Sequence, residues 1–380
     1  MTKRYKASPK ITFFLPALDG GGAERATVNL IREFINRGLN VDLILSRAEG
    51  VYLKEIPNKC SIINLSSKRV STSLPALTRY LQQERPNVMI SGLNHANIIA
   101  VLAKQLAGVN TEIIVVEHGI YYKYFEDIKS FKRIILTYLT RRTYSKANKI
   151  IAVSKGVANG IKNILSQNQM KNVSVIYNPI VDKSLLSKAK QGIDEHWLQE
   201  PGFSYIVSVG RLTKAKDYGT LLKAFSIVRS KMKCRLLILG EGEERNDLVN
   251  LASELGIKSD LLMPGFVENP YKYISIADVF VMSSRWEGFG NVIVEAMACG
   301  VPVISTDCPY GPAEIIDDGK TGILTPVGDV QALSNNIYKL LKDRELNNKL
   351  TIAGKRRSED FTVSLTADKY LDVITAMRGV

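Results

Sequence analysis

The stretch Val279–Asp307, VFVMSSRWEGFGNVIVEAMACGVPVISTD, decides the fold. An apolar run (VFVMSS) leads through a glycine-bearing loop into a helical segment (NVIVEAMACG) and then a second apolar run (VPVISTD). Continuous apolar strands on either side of a helix are the pattern of parallel sheet buried on both faces. The helical segment is apolar on every side, which predicts a buried helix. Yet it holds a carboxylate, Glu295, and the loop before it holds another, Glu287. A buried carboxylate is costly without a partner, so Glu295 is expected to meet either a protein cation or a ligand hydroxyl.

The same alternation runs outward in both directions. KITFFLP, NVDLILS, NVMISG, EIIVVEHG, KIIAVS and VSVIYNP read as strands in the first half, and YIVSVGR, CRLLILG and LLMPGF in the second. Helical stretches separate them; ERATVNLIREFINRG closes on Gly38, a good helix stop. A polar linker is expected at 182–202. Two such series predict an α/β protein of two doubly wound parallel-sheet domains facing one another.

At 380 residues the chain is long enough for two cores. Four scattered cysteines without C-x-x-C spacing argue against a disulfide framework or a zinc knuckle. No leader and no membrane span are expected, which suggests a cytoplasmic protein. The net charge of +14 is uneven: residues 1–180 hold 26 Lys and Arg against 11 Asp and Glu, so the excess lies wholly there. An anionic membrane surface, a phosphorylated lipid or nucleic acid would each suit it; so would plain solvation.

Ligands of doubly wound sheets bind beyond the carboxyl ends of the strands, which singles out particular residues. After the first strand, Gly20, Gly21 and Gly22 form a bare turn into a helix, where backbone N–H groups could meet an anion or a sugar. The spacing is not G-x-G-x-x-G, and a tight structural turn explains the glycines equally well. His118 ends EIIVVEHG; strand alternation sends Glu117 and His118 to opposite faces, so one should look into the crevice. Arg211 and Lys216 follow YIVSV as a plausible pyrophosphate clamp, although ordinary surface lysines such as Lys214 lie beside them.

EGFGNVIVE with AMACGVPVISTD, together with VGRLTKAKD and EHG, resembles the retaining GT-B glycosyltransferases of the family 4 type over nearly the whole chain. The resemblance implies two Rossmann-like domains, 1–183 and 184–361, with a central cleft, and a C-terminal helix, 362–380, crossing back to the first. It implies that Arg211 and Lys216 hold the donor diphosphate, Glu295 the ribose hydroxyls and Glu287 the transferred sugar. Phe289, Gly290 and Asn291 would offer backbone amides to that sugar and its phosphate. His118 would touch the sugar from the other domain, Gly21 and Gly22 would line the floor, and Val267 would neighbour the base. No cofactor and no metal are implied, in keeping with the lack of D-x-D. The chain departs from the family pattern at YNPIVD, where Pro179 replaces a usual glycine after Asn178.

The implied activity is transfer of a hexose or N-acetylhexosamine from a UDP-sugar to a lipid-linked or polysaccharide acceptor. A nucleotide-sugar epimerase, a dinucleotide oxidoreductase and a non-catalytic basic module are the rivals; no nucleic-acid partner is expected. Between Tyr122 and Lys149, Lys123, Lys129, Lys132, Arg133, Arg141, Arg142 and Lys146 accompany Ile128, Phe131, Ile135 and Tyr138 at helical spacing. That composition fits a helix lying on the inner face of the cell membrane, or a solvated helix whose apolar stripe is core.

Overall fold

Strand-forming residues buried on both faces set the architecture of this computed structural model, which describes residues 9–119, 130–193, 195–198 and 200–378. Packing divides the chain into two units: residues 1–179 with 363–380, and residues 180–362.

The first unit is built on a seven-stranded sheet of order β3-β2-β1-β4-β5-β6-β7 among the described residues. Its strands are β1 (Lys10–Leu15), β2 (Asn40–Leu45), β3 (Ser61–Asn64), β4 (Val88–Gly92), β5 (Glu112–Glu117), β6 (Lys149–Ala152) and β7 (Val173–Val175). The neighbours pair in parallel, with Ile11 opposite Val41 on one side and Val88 on the other. The strand order reverses direction between β1 and β4, so the connections leaving these two strands diverge. Phe13, Phe14, Ile31, Phe34 and Leu43 are fully buried in the core. The helix Gly22–Asn36 ends where Gly38 takes φ +80°, as the sequence predicts. The last helix, Val363–Met377, packs on it: Arg37 pairs with Asp368 and donates to the Ser364 carbonyl at 2.9 Å.

The second unit carries, among the described residues, a six-stranded parallel sheet of order β10-β9-β8-β11-β12-β13. Its strands are β8 (Ser204–Val209), β9 (Cys234–Leu239), β10 (Leu261–Gly265), β11 (Val279–Met282), β12 (Val303–Thr306) and β13 (Ile323–Thr325). Here the order reverses between β8 and β11. Two parallel doubly wound sheets are thus borne out. The helix Asn291–Ala298 is buried from Ile293 through Ala298, as its composition requires.

Two departures from the sequence reading have plain causes. The edge strands β3 and β13 were not foreseen, because they are short and partly exposed. The expected linker instead forms a helix, Lys183–Ala189, capped by Asp182, whose carboxylate accepts from the Leu185 amide at 2.8 Å. Away from the carboxyl ends of the strands, Arg235 at the start of β9 is held between Trp197 and Phe203, 4.7 and 3.9 Å from their ring centres. All four cysteines are unpaired, and burial pushes each thiol up to about 12. No helix among the described residues is long and apolar enough to cross a membrane.

Candidate active site

In the second unit, the first turn of the loop after β8 is pinned by backbone hydrogen bonds. The Leu212 amide donates to the Glu241 carbonyl at 2.9 Å and the Glu244 amide to the Leu212 carbonyl at 3.0 Å. This approach demands glycine. A Cβ on Gly240 would lie 1.9 Å from the Gly210 oxygen, and one on Gly242 would lie 2.2 Å from the Leu212 oxygen. Arg211 projects from the pinned loop; its exposed guanidinium makes no ion pair among the described residues.

Lys216 and Glu287, 71 residues apart, form an ion pair at the point where the strand order reverses. Ser284 donates to the same Glu287 oxygen at 2.7 Å, and Ser283 donates to the Lys216 carbonyl at 2.8 Å. The Arg285 amide donates to the Ala215 carbonyl at 2.7 Å, and its Nε donates to Asp217 Oδ2 at 3.0 Å. Asp217 takes φ +47°, unusual outside glycine, and its carboxylate also accepts from Thr220 at 2.9 Å. The loops after β8 and β11 are therefore sewn together by side chains and backbone.

Downstream, Phe289 is buried edge-on against Phe361, with ring centres 5.5 Å apart. Gly290, at φ +98°, turns the chain into the helix Asn291–Ala298, whose amino end faces the same strand-end loops. Asn291 and Glu295 share a face, one turn apart, and Glu295 is only 8% exposed. Val267 follows β10, half-buried beside an exposed Phe266. Cys308, just after β12, feels the negative charge of Glu287 as well as burial.

In the first unit the turn after β1 is held by Tyr52, which donates to the Gly20 carbonyl at 3.1 Å and stacks on Arg25 at 3.9 Å. Arg25 in turn pairs with Glu55 at 2.7 Å. Only Gly20 has positive φ; Gly21 is extended and caps the helix that Gly22 begins. The Glu24 carboxylate lies over Gly21, where a Cβ would meet it at 2.3 Å. A negative charge thus already sits at this helix start, which suits the helix dipole and disfavours a second anion there.

Glu117 and His118 do point apart. Glu117 turns inward, 2% exposed, while His118 lines a small cavity with Gly92, Thr27, Asn178, Pro179 and Tyr370. His118 Nδ1 is shielded and has no hydrogen-bond partner among the described residues. Burial drives the imidazole down to about 4, so it is neutral at pH 7. Leu93, beside Gly92, is a further non-glycine residue at positive φ (+75°), and Tyr310, after β12, is another (+69°).

On the helix Ser130–Tyr144, Ile135 and Tyr138 are exposed, as are Ile134, Arg141 and Arg142, while Tyr144 is buried on its inner face. Lys123, Glu126, Asp127, Ile128 and Lys129 lie outside the described residues, as do the side chains of Phe131, Lys132 and Arg133.

Comparison with known proteins gives a consistent answer. Residues 20–183 match the family described as "Glycosyltransferase Family 4", and residues 191–357 match "Glycosyl transferases group 1". The N-acetylgalactosamine-N,N'-diacetylbacillosaminyl-diphospho-undecaprenol 4-alpha-N-acetylgalactosaminyltransferase of Campylobacter jejuni is 30% identical, covering 95% of this chain and 99% of its own. The lipopolysaccharide core biosynthesis glycosyltransferase LpsE of Rhizobium meliloti is 27% identical, covering 97% of this chain and 99% of its own. Among solved structures, Anabaena HepE in complex with UDP-glucose superposes with a TM-score of 0.79 at 19% identity, covering 97% of this chain and 100% of that one. The lipopolysaccharide outer core galactosyltransferase WaaB, in its apo form, gives 0.70 at 23% identity, covering 97% and 99%.

Proposed function

The chain belongs to the group 1 glycosyltransferases, with a family 4 amino-terminal half, and from that premise we propose that it moves a hexose or N-acetylhexosamine from a UDP-sugar to a lipid-linked or polysaccharide acceptor, with retention at the anomeric carbon. The observation that carries the donor reading is the Lys216–Glu287 pair at the β8/β11 switch point, backed by the buried Glu295 on the next helix. Lipid-linked and lipopolysaccharide acceptors in the names of relatives support the acceptor class.

Breaking the bond between the anomeric carbon and the diphosphate oxygen loads negative charge on the leaving group. Arg211 and Lys216 meet that charge, as does the amino end of Asn291–Ala298, so they lower the barrier where the charge develops. Lys216 can serve both Glu287 and a phosphate, since an ammonium carries three donors. Glu287 accepts from sugar hydroxyls and Glu295 from the ribose pair. The acceptor hydroxyl attacks from the leaving-group side, forms the new C–O bond and gives its proton to a diphosphate oxygen. No side-chain base is then required, and no metal is invoked. Neutral His118 approaches the sugar as a hydrogen-bonding ring that adds no charge, while Gly21 and Gly22 admit hydroxyls close to the backbone. Val267 borders the base.

Ile134 and Tyr138, each 64% exposed, sit beside Arg141 and Arg142. This mixed apolar and cationic face suits an anionic leaflet, which would place the enzyme peripherally on the inner face of the cell membrane.

The test is incubation with a panel of nucleotide-sugars and undecaprenyl-diphosphate-linked acceptors. Release of UDP with formation of an α-linked product is expected. Isomerised sugar without transfer would instead identify an epimerase. Flotation with liposomes, with and without anionic lipid, tests docking; equal recovery in both would refute it.

A further inference from the structure

Glu117 is a carboxylate in the interior that the chemistry above does not use. It accepts from the Tyr144 hydroxyl at 2.6 Å, from the Asn94 side chain, and from the backbone N–H groups of His118 and Gly119. Among the described residues its hydrogen-bond partners are all donors, and none is a cation. The Tyr144 oxygen itself receives Asn97 at 2.9 Å and Asn94 at 3.2 Å, so its one proton is committed to Glu117. Asn97 also accepts from Ser91 at 2.7 Å and donates to the Val116 carbonyl at 3.0 Å.

A carboxylate buried among neutral partners, as Glu117 is among the described residues, adds little to stability, because an apolar replacement of similar shape is often at least as stable. Its geometry suggests what it does instead. Two of its donors are the backbone amides that define the turn at His118. The others come from the helix Asn94–Ala107, which follows the strained Leu93, and from the inner face of the helix Ser130–Tyr144. One side chain thus holds the ends of β4 and β5 and an adjoining helix in register at the His118 backbone, from which the ring projects into its cavity.

We propose that Glu117, held by Tyr144 and Asn94, is a positioning residue that sets the orientation of the His118 imidazole. The proposal rests on the reading of His118 as a sugar contact only for its effect on rate, and the orientation itself can be measured without substrate. Tyr144→Phe removes one hydroxyl and Glu117→Gln one charge, so both keep the packed volume.

With three histidines in the chain, the His118 ring ε1 proton is assignable by comparison with His118→Gln. Both variants should shift that NMR resonance. Both should also lower kcat for transfer roughly tenfold to a hundredfold, with donor KM within about twofold, well below their melting temperatures. A resonance and a kcat that match wild type in both variants, with only the melting temperature lowered, would overturn the proposal and leave Glu117 a structural group. If wild type transfers no sugar, the functional reading fails, yet the resonance still decides the positioning role.

Discussion

Gly242→Ala tests whether the loop bearing Arg211 works through fixed geometry. The new methyl carbon would stand 2.2 Å from the Leu212 oxygen, 2.6 Å from its carbonyl carbon and 2.7 Å from its nitrogen. Comfortable contact begins near 3.5 Å, so one backbone must retreat by about 1 Å. Both are rigid partners here, tied by the Leu212–Glu241 and Glu244–Leu212 bonds. Losing or stretching these two bonds costs about 1–2 kcal/mol of stability. The functional cost is larger, because Arg211 adjoins the displaced residue and a misplacement of about 1 Å in an active site can cost about a hundredfold. Steady-state kinetics with varied donor, alongside thermal melting, should show kcat/KM falling by about that factor while the protein stays folded. Gly160→Ala is the control: nothing lies within 4 Å of its added methyl, and helix Lys155–Lys162 should tolerate or welcome it. A Gly242→Ala enzyme as active as the control would refute the reasoning, since it would mean that the Arg211 loop carries no geometric demand.

Lys216→Met and Glu287→Gln should each lower kcat by about a hundredfold or more while melting within a few degrees of wild type; wild-type turnover in either would remove the pair from the chemistry. Glu295→Ala should raise donor KM by roughly tenfold to a hundredfold, the equivalent of charge-assisted bonds worth about 1.5–3 kcal/mol; an unchanged KM would reassign Glu295 to a partner within the protein. His118 gives a pH signature of definite sign. The unfolded imidazole takes a proton near pH 6.5, whereas the folded one, in a cavity shared with Thr27, Asn178 and Tyr370, does so only at about 4. The unfolded chain therefore binds more protons between these values, and stability falls as pH drops from 6.5 towards 4, by up to about 3 kcal/mol. Denaturant unfolding of wild type and His118→Gln at pH 7.5 and 4.5 should show the larger loss in wild type, since burial also lowers His95 in both proteins; parallel behaviour of the two proteins would contradict it.

Residues such as those in YIVSV and CRLLIL announce their strands because both faces of the sheet are covered, leaving uninterrupted apolar runs. The edge strands Ser61–Asn64 and Ile323–Thr325 lack that signature, since an edge needs less apolar cover. Positions just after strands were legible too, which is how Arg211, Lys216, Glu287 and His118 could be singled out. Their partners were not. Nothing in the composition joins Lys216 to Glu287 across 71 residues, or Glu117 to Tyr144 across 27. Positive φ at Leu93, Asp217 and Tyr310 is invisible because only glycine advertises it. Gly242 was passed over for the opposite reason: its backbone angle is ordinary, and only the crowding by Leu212 explains the missing side chain.

In the second unit every described strand runs the same way, so the sheet has one rim of carboxyl ends, where the candidate site lies, and another given to anchorage. Arg235, clasped by two aromatic rings, belongs to the anchoring rim. Phe266 and Asp307 stand exposed on the other, outside the packed interior. Such a layout lets inheritance tinker with one rim at small cost to the other: a lineage can acquire a new cargo by exchanging a few tips while its scaffold stays as it was.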